Sequence, residues 1–191
     1  MTRAFTTSLA CALLLAATPA QAIFRAHLDY AYYDVEVKPG QRILPAIMRT
    51  TTLPPSDRNP APIGKHIWQL TWNYDRAWGE NWTCKVNGTT VDVTATIHLP
   101  RLKGGDATQQ AAFDKYMVTL KAHEDHHHTI AREAAEALDH ALRSLPAARD
   151  CNALHTLALA RAQYVIDRYN QRQREFDIEE QKRSAEFYPD I

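Results

Sequence analysis

No stretch of this 191-residue chain reaches the ~20 consecutive apolar residues that span a bilayer. Neither sign of charge is in excess, since 22 Lys and Arg face 22 Asp and Glu, and no basic run stands out. That balance argues against nucleic acid or an anionic membrane surface as the main partner. Internal repeats are absent, and cysteine is scarce at three residues.

The beginning of the chain has the layout of a secretory signal. Arg3 is the charged start, Leu9 to Ala17 the apolar core, and Ala20-Gln21-Ala22 a small-x-small cleavage site. The expected organisation is therefore a signal peptide over 1–22 and one domain over 23–191, exported to the periplasm or secreted, with no stable membrane insertion after cleavage. An uncleaved anchor is the alternative. Cys11 lies inside the apolar core, which continues through Leu13, Leu14 and Leu15, so it is not placed as a lipoprotein cysteine. Cleavage leaves Cys84 and Cys151, and a pair in an oxidising compartment reads as a disulfide. The other option is a thiolate ligand for a metal, but a lone exported thiolate is prone to oxidation.

The run His123-Glu124-Asp125-His126-His127-His128 contains H-E-x-x-H, with His123, Glu124 and His127 at the fixed positions. Residues four apart on a helix share a face, so both imidazoles can ligate one zinc ion while Glu124 reaches a water on it. Zinc lowers the pKa of such a water from about 16 to about 7, and a neighbouring carboxylate can accept its proton. A His-rich surface patch that binds metal loosely or not at all is the plainer reading of a short motif in a chain with nine His. His126 and His128 sit roughly 100° to either side of His127 and are weak ligand candidates.

The motif lies in a periodic segment from about Ala107 to Leu145 with no Gly or Pro, ended by Pro146. His123 and His127 continue its apolar stripe between Leu120 and Ile130. Two uncompensated imidazoles in such a stripe are costly, and a metal removes that cost. The metzincin subtype is excluded, because Ile130 occupies the position of its turn-forming Gly and Glu133 that of its third His. On an unbroken helix Glu133 points about 240° away from His127.

Elsewhere, His27 to Val37 and His66 to Tyr74 alternate as strands, and Ile43 to Met48 suits a short helix. The proline-rich stretch Thr50 to Gly64 reads as a loop. Thr83–Val86 and Thr89–Leu99 read as two strands joined in a hairpin by Asn87-Gly88, with Pro100 and Gly104-Gly105 separating sheet from helix. A second long helix is expected from about Ala153 to Phe176. Trp68, Trp72, Trp78 and Trp82 read as core and rim packing, with a substrate groove as the alternative. The expected class is α+β: a small antiparallel sheet packed on two long helices, the first carrying the motif.

With these residues the chain resembles a bacterial family of exported zinc-dependent protease-like proteins, zincin-like in fold and otherwise a domain of unknown function. The likeness rests on Tyr33-x-Val35, Trp68-x-Leu70-x-Trp72-x-Tyr74, Cys84, Leu99-Pro100, His123-Glu124-x-x-His127 and Cys151. It implies a zinc metallopeptidase. The family's tail pattern, Tyr-Asp and then Thr-x-His-Gly, is met by Phe176-Asp177 but departs to Glu180-Gln181-Lys182-Arg183. If that His is the family's third ligand, a carboxylate from Asp177, Glu179 or Glu180 must stand in for it, or the site is degenerate.

An antiparallel helical hairpin puts His127 level with Arg168 and His123 level with Arg172, with Glu175 and Asp177 a turn further on. His140 and His155 fall roughly 20 Å away. Asp177 is the expected third ligand because the resemblance also reaches it. Tyr169 reads as a packed core residue, with a transition-state hydroxyl donor as the alternative. The expected function is hydrolysis of a peptide or protein substrate, with His123, His127 and Asp177 holding Zn²⁺ and Glu124 catalytic. The competing expectation is a non-catalytic exported zinc-binding module.

Overall fold

The computed structural model describes residues 22–53 and 62–183. The expected signal peptide and part of the proline-rich loop lie outside those residues, Ala22 excepted. In order, the elements are β1 (Ala22–Val37), α1 (Ile43–Thr50), β2 (Lys65–Trp78), a single 3-10 turn (Glu80–Trp82), β3 (Cys84–Gly104), α2 (Ala107–Arg143) and α3 (Cys151–Arg183). The class is α+β, a three-stranded sheet ordered β1-β3-β2 with the long helices packed on it. No helix among the described residues is long and apolar enough to cross a membrane.

Three strand expectations are corrected. The sheet is mixed, because β1 runs parallel to β3 (Ala22↔Thr89 through Val37↔Gly104) while β2 is antiparallel to it. A helix and a long connection separate β1 from β2, so those two strands do not form a tight hairpin, and β3 inserts between them. The Asn87-Gly88 hairpin does not exist either. β3 runs unbroken through it, and the β2 register jumps from Asp75↔Gly88 to Arg76↔Val86, leaving Asn87 as the extra residue of a bulge. Gly88 lacks the positive φ that a type I′ turn demands, whereas Gly40, Gly104 and Gly105 have it. Finally, Pro100 does not end the sheet. β2 stops pairing at Lys65↔His98, so Pro100 has a strand neighbour on one side only and its missing N–H is tolerated.

β3 alternates its burial, and Val91, Val93, Ala95, Ile97 and Leu99 are all buried. Val91 and Val93 pack with Ala131, Ala135, Leu138 and Leu142 of α2 and with Ala158, Ala162 and Val165 of α3. Alanine at the contacting positions of both helices lets their backbones approach. Trp68 and Trp72 join this core from β2, while Trp78 and Trp82 are 63% and 83% exposed. A second cluster, with Val35, Ile43, Ile47, Leu102, Phe113 and Tyr116, fixes the first turns of α2 against β1 and α1. The N-terminus of α2 is closed by a capping box in which Asp106 accepts from the Thr108 and Gln109 N–H groups, and the Gln109 side chain returns to Asp106 N–H.

Cys84 and Cys151 form a disulfide, joining the first residue of β3 to the first of α3. Cys84 is buried, and its backbone also exchanges two 2.8 Å hydrogen bonds with Ala148.

The helical hairpin forms, but in a register that a level count misses. His127 meets Gln173 and Asp177 instead of Arg168, and Arg172 meets Glu133 instead of His123. Side chains lean toward the N-terminus of their own helix, so those of α2 lean to the open end of the hairpin and those of α3 to the closed end. Partners on α3 therefore lie further from the turn. α3 also continues to Arg183, which puts Asp177 within the helix and not past its end.

Candidate metal centre

Helix α2 carries His123, Glu124 and His127, and Glu124 and His127 are buried. From α3 come Gln173, Phe176 and Asp177. The third contribution is the start of β2, pinned in place by the Tyr33 hydroxyl donating to Ile63 O at 2.6 Å. A methyl group added at Gly64, just before β2, would stand 2.6 Å from Glu124 Oε1 and 3.0 Å from Leu120 Cδ1, so the backbone here lies close against the Glu124 carboxylate, and a larger residue would have to displace it. The backbone N–H of His66 hydrogen-bonds that carboxylate.

Three ligand-type atoms converge. His127 Nε2 lies 3.1 Å from His123 Nε2 and 2.8 Å from Asp177 Oδ1, and His123 Nε2 lies 3.4 Å from the same oxygen. Adjacent ligands of a tetrahedral zinc with bonds of about 2.0–2.1 Å are roughly 3.3 Å apart, so the triangle has suitable dimensions. Among the described residues these three form the one group of His, Cys, Asp and Glu able to hold a metal. The donor set fits as well, since two imidazole nitrogens and a carboxylate oxygen facing one point are held together by a proton or a metal ion shared between them. The Asp177 side chain is 52% exposed, which leaves one flank of the point open to solvent.

The other candidates are engaged elsewhere. Glu175 accepts from Gln171, Glu179 and Glu180 pair with Arg183, and Glu133 pairs with Arg172. Ile130, at the metzincin glycine position, is core. His126 packs on Phe176 with tilted rings 4.2 Å apart, and His128 sits edge-on to His66 at 5.8 Å. Tyr169 packs on the core of the hairpin with the Arg172 guanidinium 5.1 Å over its ring.

The model of a bacterial protein family of unknown function (DUF922) matches residues 30–184, a span that includes every residue of this site. The chain belongs to that family. Neither the curated proteins nor the solved structures hold a significant match.

In this DUF922 protein the electrostatics agree with the geometry. Burial opposes charge on Asp177, yet hydrogen bonds from His123 and His127 and their charge hold its carboxyl far below the usual range. Burial likewise disfavours an imidazolium at His127, but the Asp177 hydrogen bond and charge, with Gln173 and Glu124, outweigh it and raise the pKa. Both shifts express one preference, for positive charge at the point of convergence. Glu124 is pushed up by burial, with His127 and His123 offsetting only part of the rise.

Two contributors escaped the sequence reading. His66 opens an ordinary alternating strand, yet its ring stacks on His127 with centroids 6.2 Å apart. Burial, and then the neighbouring His127 and His128, depress its pKa to about 3, so it is neutral at any physiological pH. Gln173 sits in the polar run Gln171-Arg172-Gln173-Arg174, which reads as solvated surface. It is nonetheless bonded to His127 at both ends of its amide.

Proposed function

We propose that this protein is an exported zinc metallopeptidase that hydrolyses peptide bonds in a peptide or protein substrate through a metal-activated water. The observation that carries the reading is the convergence of His123 Nε2, His127 Nε2 and Asp177 Oδ1 beside a buried glutamate. His123, His127 and Asp177 would hold the ion. Zinc bound there would supply Lewis-acid polarisation of the scissile carbonyl and make water acidic enough to give up a proton near neutral pH.

Glu124 would serve as the general base for the attacking water and then as the acid that returns the proton to the nitrogen of the leaving amine. Burial has raised its pKa, which makes the carboxylate a stronger base than one in water and its acid form a competent donor in the second half of the cycle. The His66 backbone N–H and the close approach of Gly64 hold the carboxylate in one position, so little reorganisation accompanies the transfer. Asp177 would contribute a negative charge that offsets part of a bound metal's. The Cys84–Cys151 disulfide agrees with an oxidising, extracytoplasmic location.

The direct assay uses an unfolded protein such as casein and the zinc-loaded mature chain. Cleavage is expected to disappear on treatment with a zinc chelator and to return when zinc is restored. Cleavage that survives full removal of the metal, or none by the zinc-loaded chain across a diverse peptide library, would contradict the proposal.

A further inference from the structure

We infer that Gln173 is the positioning residue of the metal centre, holding the proton of His127 on Nδ1 so that the Nε2 lone pair faces His123 and Asp177. The inference rests on the zinc-site reading above and assigns a role to a residue outside the three ligand candidates. The Gln173 amide is oriented by its own second bond: Nε2 donates to the main-chain oxygen of His127 at 2.9 Å. Its Oε1 is thereby presented to His127 Nδ1, with which it makes a hydrogen bond. An amide oxygen only accepts, so Nδ1 must carry the hydrogen. With Nδ1 protonated, Nε2 is the nitrogen that offers its lone pair to a metal, in place of the proton it otherwise shares with Asp177, 2.8 Å from Asp177 Oδ1 and 3.1 Å from His123 Nε2.

The alternative tautomer is what Asp177 would otherwise select. Its carboxylate is a strong acceptor within hydrogen-bond distance of Nε2, and a proton drawn there would occupy the lone pair a metal needs. Gln173 opposes that transfer. It also fixes the plane of the ring, with Phe176 edge-on at 5.0 Å and His66 stacked at 6.2 Å. Orientation of a ligating imidazole through its second nitrogen is a recurring feature of metal sites, and losing such a partner weakens metal binding about 10–100-fold.

The test compares Gln173→Leu, which cannot accept, with Gln173→Glu, which accepts at Nδ1 but cannot donate to His127 O. Zinc dissociation constants are measured by chelator competition, and the His127 Nδ1–H is followed by ¹⁵N-edited NMR in the zinc-loaded chains. Far-UV circular dichroism confirms that each variant is folded. The native protein is expected to show a slowly exchanging Nδ1–H. Gln173→Leu should lose that signal to exchange and bind zinc about 10–100-fold more weakly, while Gln173→Glu should keep the signal and recover most of the affinity. Native affinity in Gln173→Leu, or equal weakening in both variants with the Nδ1–H intact, would overturn the assignment and leave the three-ligand site standing. Failure of the native chain itself to bind zinc would instead remove the reading on which the assignment depends.

Discussion

Glu124→Gln should abolish most peptide hydrolysis, by about 10²–10⁴-fold, the range general acid–base catalysis commonly supplies. Zinc content and fold should be unchanged. The amide is nearly isosteric with the carboxylate, so the close packing against Gly64 and Leu120 is kept. What is lost is proton affinity: an amide cannot take up the proton and later return it to the amine. The substitution removes a buried carboxylate whose pKa burial has raised, so the change does not expose an unpaired charge. Zinc affinity is the control, because Glu124 is not among the converging atoms. A variant that retains zinc and loses turnover supports the peptidase. A variant with unaltered turnover excludes Glu124 as the base, and an unaltered biological role without any hydrolysis favours the non-catalytic zinc module.

Reducing the Cys84–Cys151 bond should destabilise the folded chain by about 4 kcal/mol, the chain-entropy value for its 67-residue separation. For a domain of this size that is a fall of roughly 10 °C in the melting temperature. The bond fastens the start of β3 to the start of α3, where Cys84, Ala148 and Leu154 form their own small buried cluster. The Cys84–Ala148 backbone pair and the Tyr74–His155 hydrogen bond also join that end of the helix to the sheet, so the bond's main contribution is to the unfolded chain. Cys84→Ala/Cys151→Ala is a suitable variant, since serine would leave a hydroxyl in the buried site of Cys84. Asp177 is roughly 40 Å along α3 from Cys151, so zinc affinity of the folded variant should match the native value. Identical melting of the oxidised and reduced protein would show that the loop is constrained by other means.

The metal centre was half legible in the sequence, and the division has a physical basis. H-E-x-x-H is local: helical periodicity alone puts His123 and His127 on one face, and Phe113 to Leu142 supply the stripe that buries it. The two helices and the cysteine pair could be read because helix breaks, hydrophobic spacing and redox compartment are written into short segments. Asp177 was reached through the family's tail pattern, and the structure brings it to the two imidazoles. Gln173 and His66 were missed because tertiary packing recruits them. Their neighbours in sequence look like solvated helix and alternating strand, and neither pattern encodes which side chain turns toward α2. Asn87-Gly88 misled for the opposite reason. A favourable local turn signal lost to long pairings on both sides of β3, which a bulge preserves and a hairpin would forfeit. The parallel pairing of β1 has no local signature, since its partner lies beyond α1 and β2.

Metal content of the mature chain, purified without added metal, addresses the zinc site most directly. About one zinc per chain is expected, lost in His123→Ala and His127→Ala and weakened by orders of magnitude in Asp177→Ala. Glu175→Ala, Glu179→Ala and Glu180→Ala should keep the full complement, because those carboxylates are paired away from the site. A native chain that takes up zinc no more tightly than His123→Ala/His127→Ala would contradict the account, and so would full zinc in Asp177→Ala.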